Sequence, residues 1–352
     1  MTSPIKSALL GIHAQTSLHP GAGTALGTVD LPIQRERHTH WPIIPGSAIK
    51  GVLRDAYRET HLSTEAFDPE TYSFTFQRTE TGGFQDEATN KAATPRAMAD
   101  AKKVLNDLFG PPTSKADEFA GALSLTDARI LAFPLRSLRG VFGWITCPAV
   151  LERLARDARL AGWPTDQLVA PRIEDDHYLS SPDCDCRLST GEIVLEDSDF
   201  RQAAGNADDN AAQFKSLAEW IATTLLPDGA GYAATRKRFT SHLILLSDND
   251  FTHFVRHSTE VAARIALNYE TKTVKQGALF YQEFLPPESL LYAVVLCNET
   301  RIRERRQQPS RSPFQEWQAS LLETPYLQFG GDESTGKGWC AVRLTTQEAS
   351  HE

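Results

Sequence analysis

Two side chains near the start of the sequence have the types that phosphate chemistry needs. Asp30 sits in Gly27-Thr-Val-Asp-Leu-Pro32, between a flexible residue and a rigid one, in a loop that displays a side chain rather than buries it. A displayed carboxylate can hold a divalent cation or take a proton from an attacking hydroxyl. It can equally be the salt-bridge partner of nearby arginines, and composition does not separate these readings. His19 lies eleven residues earlier in a His-Pro-Gly turn. There it either caps backbone groups or orients a phosphate or leaving group beside Asp30.

Positive charge gathers next to this pair. From Leu31 to Arg58 the basic residues Arg35, Arg37, Lys50, Arg54 and Arg58 outnumber Glu36 and Asp55, in a 352-residue chain of net charge −9. A basic island in an acidic protein points to a phosphate-bearing partner more strongly than uniform basicity does. Ser47, after Pro45-Gly46, reads as the N-cap of a helix whose buried stripe is Ile49, Val52, Leu53 and Ala56. Lys50, Arg54 and Arg58 step by four along the neighbouring stripe. A solvated basic face is the plainer reading of that stripe, and phosphate contact the functional one.

Further along, Gly331-Asp-Glu-Ser-Thr-Gly336-Lys337-Gly338 narrowly misses a Walker A loop. Gly338 replaces the hydroxyl that would hold magnesium, and a strand pattern rather than a helix follows, which argues against nucleotide hydrolysis. Cys184 and Cys186, near His177, have poor zinc spacing and read as two free thiols in a polar loop. The five cysteines have no regular spacing, which suits a reducing cytoplasm. The longest apolar run, Leu290 to Cys297, is too short to cross a bilayer, and the stretch from Lys6 to His13 does not read as a secretory signal.

The elements that must position these residues are mixed. Strands are expected at 8–16, 123–133, 138–146, 241–247, 290–297, 326–329 and 338–344. Helices are expected after Ser47, over 98–108, 148–160, 215–226 and 315–323, and within 251–266. The stretch 67–93 reads as an irregular insertion. Residues 172–213 read as a solvated excursion with one short strand at 193–195. Such an order indicates an α+β fold of sheets backed by helices.

Four blocks carry a family likeness: HPGAG…VDLPIQRERHTHWPIIPGSAIKGVLRDA (19–56), LSLTDARILAFPLRSLRGVFGWITCPAVLERLARD (123–157), NYETKTVKQGALFYQEFLPPE (268–288) and LQFGGDESTGKGW (327–339). In this order they resemble the RAMP-superfamily backbone subunit of type III-B (Cmr) CRISPR effector complexes. The resemblance implies a ferredoxin-like (RRM-type) core with inserted helical and β-hairpin "thumb" elements. It further implies a single domain with core 1–60 and 241–346 and insertions over 61–240. The implied thumb is the segment around Arg264 and Lys272, with 172–213 as the alternative.

The activity implied is cytoplasmic, RNA-guided cleavage of target RNA by attack of the target's own 2′-hydroxyl, dependent on Mg²⁺ or Mn²⁺ held at Asp30. His19 would assist, and Tyr281 and Glu283 are candidate catalytic residues on one strand face. RNA would be held by Arg35, Arg37, Ser47, Lys50, Arg54, Arg264, Lys272, Gly330, Gly331, Thr335, Gly336, Lys337 and Gly338. The implied partners are crRNA, target RNA, further copies of the chain and other Cmr subunits, with no membrane. A non-catalytic crRNA-binding scaffold is the competing reading, and it differs only in what Asp30 does.

Overall fold

A computed structural model describes residues 6–25, 27–62, 65–68, 73–76, 95–112, 119–165, 168–169, 171–203, 207–298 and 312–347. The arginine run at 301–306 lies outside the described residues, as does the stretch 67–93 apart from 67–68 and 73–76. In chain order the first elements are β1 (Lys6–Ala14), β2 (Ile43–Ile44), α1 (Gly46–Leu62), β3 (Glu65–Asp68), β4 (Ser73–Phe76), α2 (Pro95–Phe109) and β5 (Leu123–Leu125). There follow β6 (Ala128–Arg136), β7 (Phe142–Thr146), α3 (Pro148–Leu160), β8 (His177–Ser180), β9 (Ile193–Leu195), β10 (Ser198–Gln202) and α4 (Ala207–Leu225). The last are α5 (Ala233–His242), β11 (Leu243–Leu245), α6 (Asp248–His257), β12 (Glu260–Arg264), β13 (Phe280–Phe284), β14 (Leu290–Cys297), α7 (Pro313–Glu323), β15 (Tyr326–Gln328) and β16 (Trp339–Thr345).

The chain divides into two units. The first comprises Met1–Lys6, Lys50–Ser124 and Leu296–Thr324. It is held by apolar stripes at helical spacing: Leu53 and Tyr57 on α1, Leu105, Leu108 and Phe109 on α2, and Phe314, Trp317 and Leu321 on α7 are all buried. Trp317 meets Phe109 edge-on at 6.3 Å. A capping box of Ser312 and Gln315 starts α7.

The second unit comprises Ser7–Ile49, Leu125–Val295 and Pro325–Glu352. Its frame is a mixed sheet in the order β15-β16-β1-β14-β6-β7-β11-β8-β10-β9. The β7–β11 and β8–β10 pairs are parallel. The central strands are near-continuous apolar runs because both of their faces are covered. In β1 every residue from Ala8 to Ala14 is buried. Gly11 is required there, since a Cβ would stand 2.0 Å from the carbonyl oxygen of Leu225 at the end of α4. Strands β6 and β7 of this sheet come from within residues 61–240.

An ionic brace fixes the loop that follows Arg35. Glu36 takes a 2.7 Å bond from Arg153, whose guanidinium also lies 5.2 Å over the Trp41 ring. Arg129 pairs with Asp157 at 2.5 Å, and Tyr292 donates to the same carboxylate oxygen at 2.9 Å. Burial works against the Glu36 charge. The hydrogen bonds from Thr39 and Arg153, with Arg153's charge, outweigh it and hold the Glu36 carboxyl below its ordinary value.

Three local expectations are corrected. The helix expected within 251–266 ends at His257, where Ser258 closes it, and Glu260–Arg264 pairs with Phe280–Phe284 as a separate hairpin. Phe251, Phe254 and Val255 keep helical spacing inside that helix, and cross-strand pairing takes over only from Glu260. The stretch 172–213 contributes β8, β9 and β10 to the sheet rather than one short strand. Ser47 lies inside α1 rather than at its cap, and the first turn is satisfied by Asp127, whose Oδ1 accepts from the Gly46 amide at 2.8 Å.

Candidate functional site

One edge of β13 organises the functional residues of the second unit. Its other edge pairs with β12, so the amides and carbonyls of Tyr281, Glu283 and Leu285 face the N-terminal loops. Leu31 bridges there through its amide to the Tyr281 carbonyl and its carbonyl to the Glu283 amide, both at 3.0 Å. Leu18 exchanges two bonds with Leu285. The chain between them doubles back, with Ala22 bonded to the Pro32 carbonyl and Ala25 to that of Asp30. Asp30 is thereby set near the tip of an exposed loop.

Asp30 Oδ2 accepts from the Tyr281 amide at 2.7 Å. Among the described residues nothing bonds its other oxygen, so the carboxylate is aimed by one oxygen and open at the second. His19 Nδ1 lies 2.6 Å from the Glu283 carbonyl. A carbonyl only accepts, so the ring carries a proton on Nδ1. The two anchors are two residues apart on the same edge, roughly 7 Å along a strand. Sequence reasoning placed His19 and Asp30 on one loop system. The structure fastens both to one strand edge, with no direct bond between them.

Glu283 differs from the expectation of a catalytic group. It is 6% exposed against 40% for Tyr281, although both share a strand face by their spacing. Its Oε1 accepts from Arg35 at 2.6 Å and Thr259 at 2.8 Å, and its Oε2 from the Ile33 amide at 3.0 Å. With both oxygens bound it holds the Asp30 loop onto β13. Arg35, expected on RNA, is consumed in the same brace, donating also to the carbonyls of His40 at 2.7 Å and Val255 at 2.9 Å.

The glycine loop closes over His19. The Gly331 amide donates to the His19 carbonyl at 3.0 Å, and a Cβ on Gly330 would lie 2.2 Å from that oxygen. Gly330, Gly336 and Gly338 have φ of 77°, 75° and 77°, which glycine alone adopts freely. A short turn at Glu333–Thr335 and then strand β16 follow, so the loop has no phosphate-binding helix. Thr335 Oγ1 donates to the Asp332 carbonyl. Arg264 pairs with Asp332 at 2.9 Å, and Arg264 and Lys337 lie 5.5 and 5.3 Å from the centre of the Phe284 ring. Sequence reasoning missed Gln328, whose amide nitrogen reaches the carbonyls of Gly330 and Lys337 at 3.1 and 3.2 Å and sets the loop's shape. The signal available was a lone glutamine directly before Phe-Gly-Gly.

Of the remaining cations, Arg37 is exposed in a turn with no partner among the described residues. Lys272, at φ 55°, lies over the Tyr269 ring at 4.3 Å in the segment joining β12 to β13. In the first unit, Lys50 donates to the Leu123 carbonyl at 2.9 Å and Arg54 to that of Pro111 at 3.3 Å. Arg58 pairs with Asp55 at 3.0 Å. The stripe predicted on α1 is thus present and half-buried.

Beside Asp30 the second unit has an open pocket of about 440 Å³. Its lining includes the apolar Ala25, Val29, Pro32 and Val261 and the polar His40, Arg256 and His257. Burial, then the neighbouring His253, Arg256 and Arg35, push the His257 imidazolium below the ordinary histidine value.

Among the described residues no group of three or more His, Cys, Asp or Glu could hold a metal unaided. A single carboxylate with an open oxygen instead suits Mg²⁺, which keeps several waters and takes further ligands from substrate phosphate. Cys184 and Cys186 are buried thiols with no disulfide. No helix among the described residues is long and apolar enough to cross a membrane.

The mixed sheet and its glycine-closed edge define a known class: residues 12–341 match the RAMP superfamily, and the chain belongs to it. It is 32% identical over 347 residues to the CRISPR system Cmr endoribonuclease Cmr4 of Pyrococcus furiosus, covering 99% of this chain and 98% of that one. It is 23% identical over 356 residues to the CRISPR system CMR subunit Cmr4 of Saccharolobus solfataricus, covering 94% of each. The crystal structure of oligomeric Cmr4 from Pyrococcus furiosus matches with a TM-score of 0.63 at 26% identity, over 97% of this chain and 99% of that one. A chain of the type III-B Cmr-beta complex bound to cognate target RNA shares the fold at TM-score 0.63 and 18% identity, over 96% of each.

Proposed function

We propose that this chain is the repeated backbone subunit of an RNA-guided, type III-B (Cmr) CRISPR effector complex, and that it cleaves target RNA paired to the guide. The observation that carries this reading is the Asp30 carboxylate, aimed by the Tyr281 amide at 2.7 Å and open at its second oxygen. Its partners are crRNA, complementary target RNA, further copies along the guide and the other Cmr subunits, in the cytoplasm. Lys50, Arg54 and Ser47 of α1 and, in the second unit, the glycine loop contact RNA backbone.

The strand order supports a single RAMP domain with a ferredoxin-like core. In the order β16-β1-β14-β6, α1 falls between β1 and β6 in the chain and α7 between β14 and β16. That is the βαββαβ succession. The β12–β13 hairpin is the thumb: Ile265, Leu267, Val274 and Leu279 beyond its strands are exposed apolar side chains suited to unstacking bases.

Unstacking one target nucleotide lets its 2′-hydroxyl swing in line with the adjacent phosphorus. The hydroxyl loses its proton, the 2′-oxygen bonds to phosphorus, and the bond to the 5′-oxygen breaks, leaving a 2′,3′-cyclic phosphate and a 5′-hydroxyl. Asp30 takes or relays that proton, and its open oxygen would hold Mg²⁺ or Mn²⁺. The cation, when bound, supplies neutralising charge at the phosphate. His19 and Glu283 act at one remove, locking the glycine loop and the Asp30 loop to β13. DNA lacks the attacking hydroxyl and is spared. The test is cleavage by the assembled complex with magnesium and with chelator, for wild type and Asp30→Ala. Loss of cleavage in the variant and in chelator, with guide binding intact, is expected. A fully active Asp30→Ala complex overturns the assignment.

A further inference from the structure

The pocket beside Asp30 is unused by the reaction just described. Val29, the residue before Asp30, is part of its lining. Its volume falls within the range of about 300–1,000 Å³ typical of small-ligand sites. The lining is chemically mixed. Val29, Pro32 and Val261 offer apolar surface for a base, whereas Arg256, His257 and His40 offer donors for an anion.

Arg256 is exposed and has no partner among the described residues. Cations in the last turn of a helix ordinarily complement its dipole, and α6 ends at His257. That need is already met by Arg35, which donates to the Val255 carbonyl in the same turn at 2.9 Å. His40 stands at φ 60°, left-handed backbone that a side chain adopts at some cost. The Arg35–Glu283 pair that also lines the pocket is largely buried and neutral overall, which leaves Arg256 as its unpaired charge among the described residues.

We propose that this pocket receives one unpaired ribonucleotide of the target strand, its base against Val29 and Val261 and its phosphate on Arg256, His257 and His40. This rests on the target-cleavage reading and assigns substrate-positioning residues to it. Holding the displaced nucleotide keeps the adjacent 2′-hydroxyl near attack geometry instead of letting it restack. The protein's part is binding and orientation, and no bond is made or broken in the pocket.

The test uses the guide-loaded complex. Single-turnover cleavage of a complementary RNA is compared for wild type, Arg256→Ala/His257→Ala and Asp30→Ala. In parallel, wild type and the double variant bind a target made uncleavable by one 2′-deoxy sugar and carrying 2-aminopurine at the nucleotide beside the scissile bond. We expect the double variant to cleave about 10- to 100-fold more slowly, with guide affinity unchanged. Its 2-aminopurine fluorescence should differ from wild type, while the same probe in the guide strand responds equally in both complexes. Wild-type cleavage and fluorescence in the double variant, or a change confined to the guide-strand probe, overturns the pocket. Normal cleavage by Asp30→Ala overturns the reading beneath it instead, and the fluorescence comparison then decides the pocket independently.

Discussion

Two carboxylates sit on either side of the same strand edge and live under opposite conditions. Glu283 is buried, with Arg35, Thr259 and the Ile33 amide on its two oxygens. Asp30 is exposed, with one oxygen on the Tyr281 amide. A buried carboxylate with partners on both oxygens is part of the frame. One with an open oxygen in a held loop is available for chemistry. The difference lies in their partners and not in their chemistry, since both are carboxylic acids.

The comparison can be broken most directly at Asp30. Asp30→Ala should slow target cleavage by about 10²–10⁴-fold, the usual worth of a positioned acid–base group, while the urea unfolding midpoint stays that of wild type. A variant that loses stability instead of rate would make Asp30 a framing residue. Glu283→Ala should do the reverse. Leaving Arg35 without its buried partner costs about 3 kcal/mol, read by urea titration, and the loosened Asp30 loop slows cleavage less than removing Asp30 itself. Equal stability of wild type and Glu283→Ala would erase the distinction.

On α1, Lys50→Ala with Arg54→Ala should weaken guide binding and reduce its logarithmic salt slope by about 1.4, as expected for two contacts to single-stranded phosphates. Unchanged affinity and slope would leave that stripe structural. The smallest effect sharpens the comparison with a third acid. Glu36 is paired, and its carboxyl lies below its ordinary 4.5 in the folded protein. Its stabilising contribution is therefore complete above about pH 4.5 and lost as pH falls through the depressed folded value. Glu36→Gln should flatten acid unfolding in that window, as followed by circular dichroism.

Much of this arrangement could be read from local patterns. The helix over 148–160 was legible because Pro148 opens it and its buried residues keep helical spacing. The Asp30 loop was legible because Gly27 and Pro32 bound it. What escaped depends on partners far away in sequence. Arg35 and Glu283 are 248 positions apart, so nothing near either one says that they neutralise each other. The β12 strand escaped because its faces are largely exposed, leaving no apolar alternation to detect. Arg256 and His257 fell within a helix expected to run further, and only the fold sets them in one pocket with Val29.

The contact between Gly331 and the His19 carbonyl, with β16 paired to β1, has a consequence for biogenesis. A ribosome makes the histidine more than 300 residues before the glycine. The loop that covers His19 therefore closes only once β16 has cleared the exit tunnel.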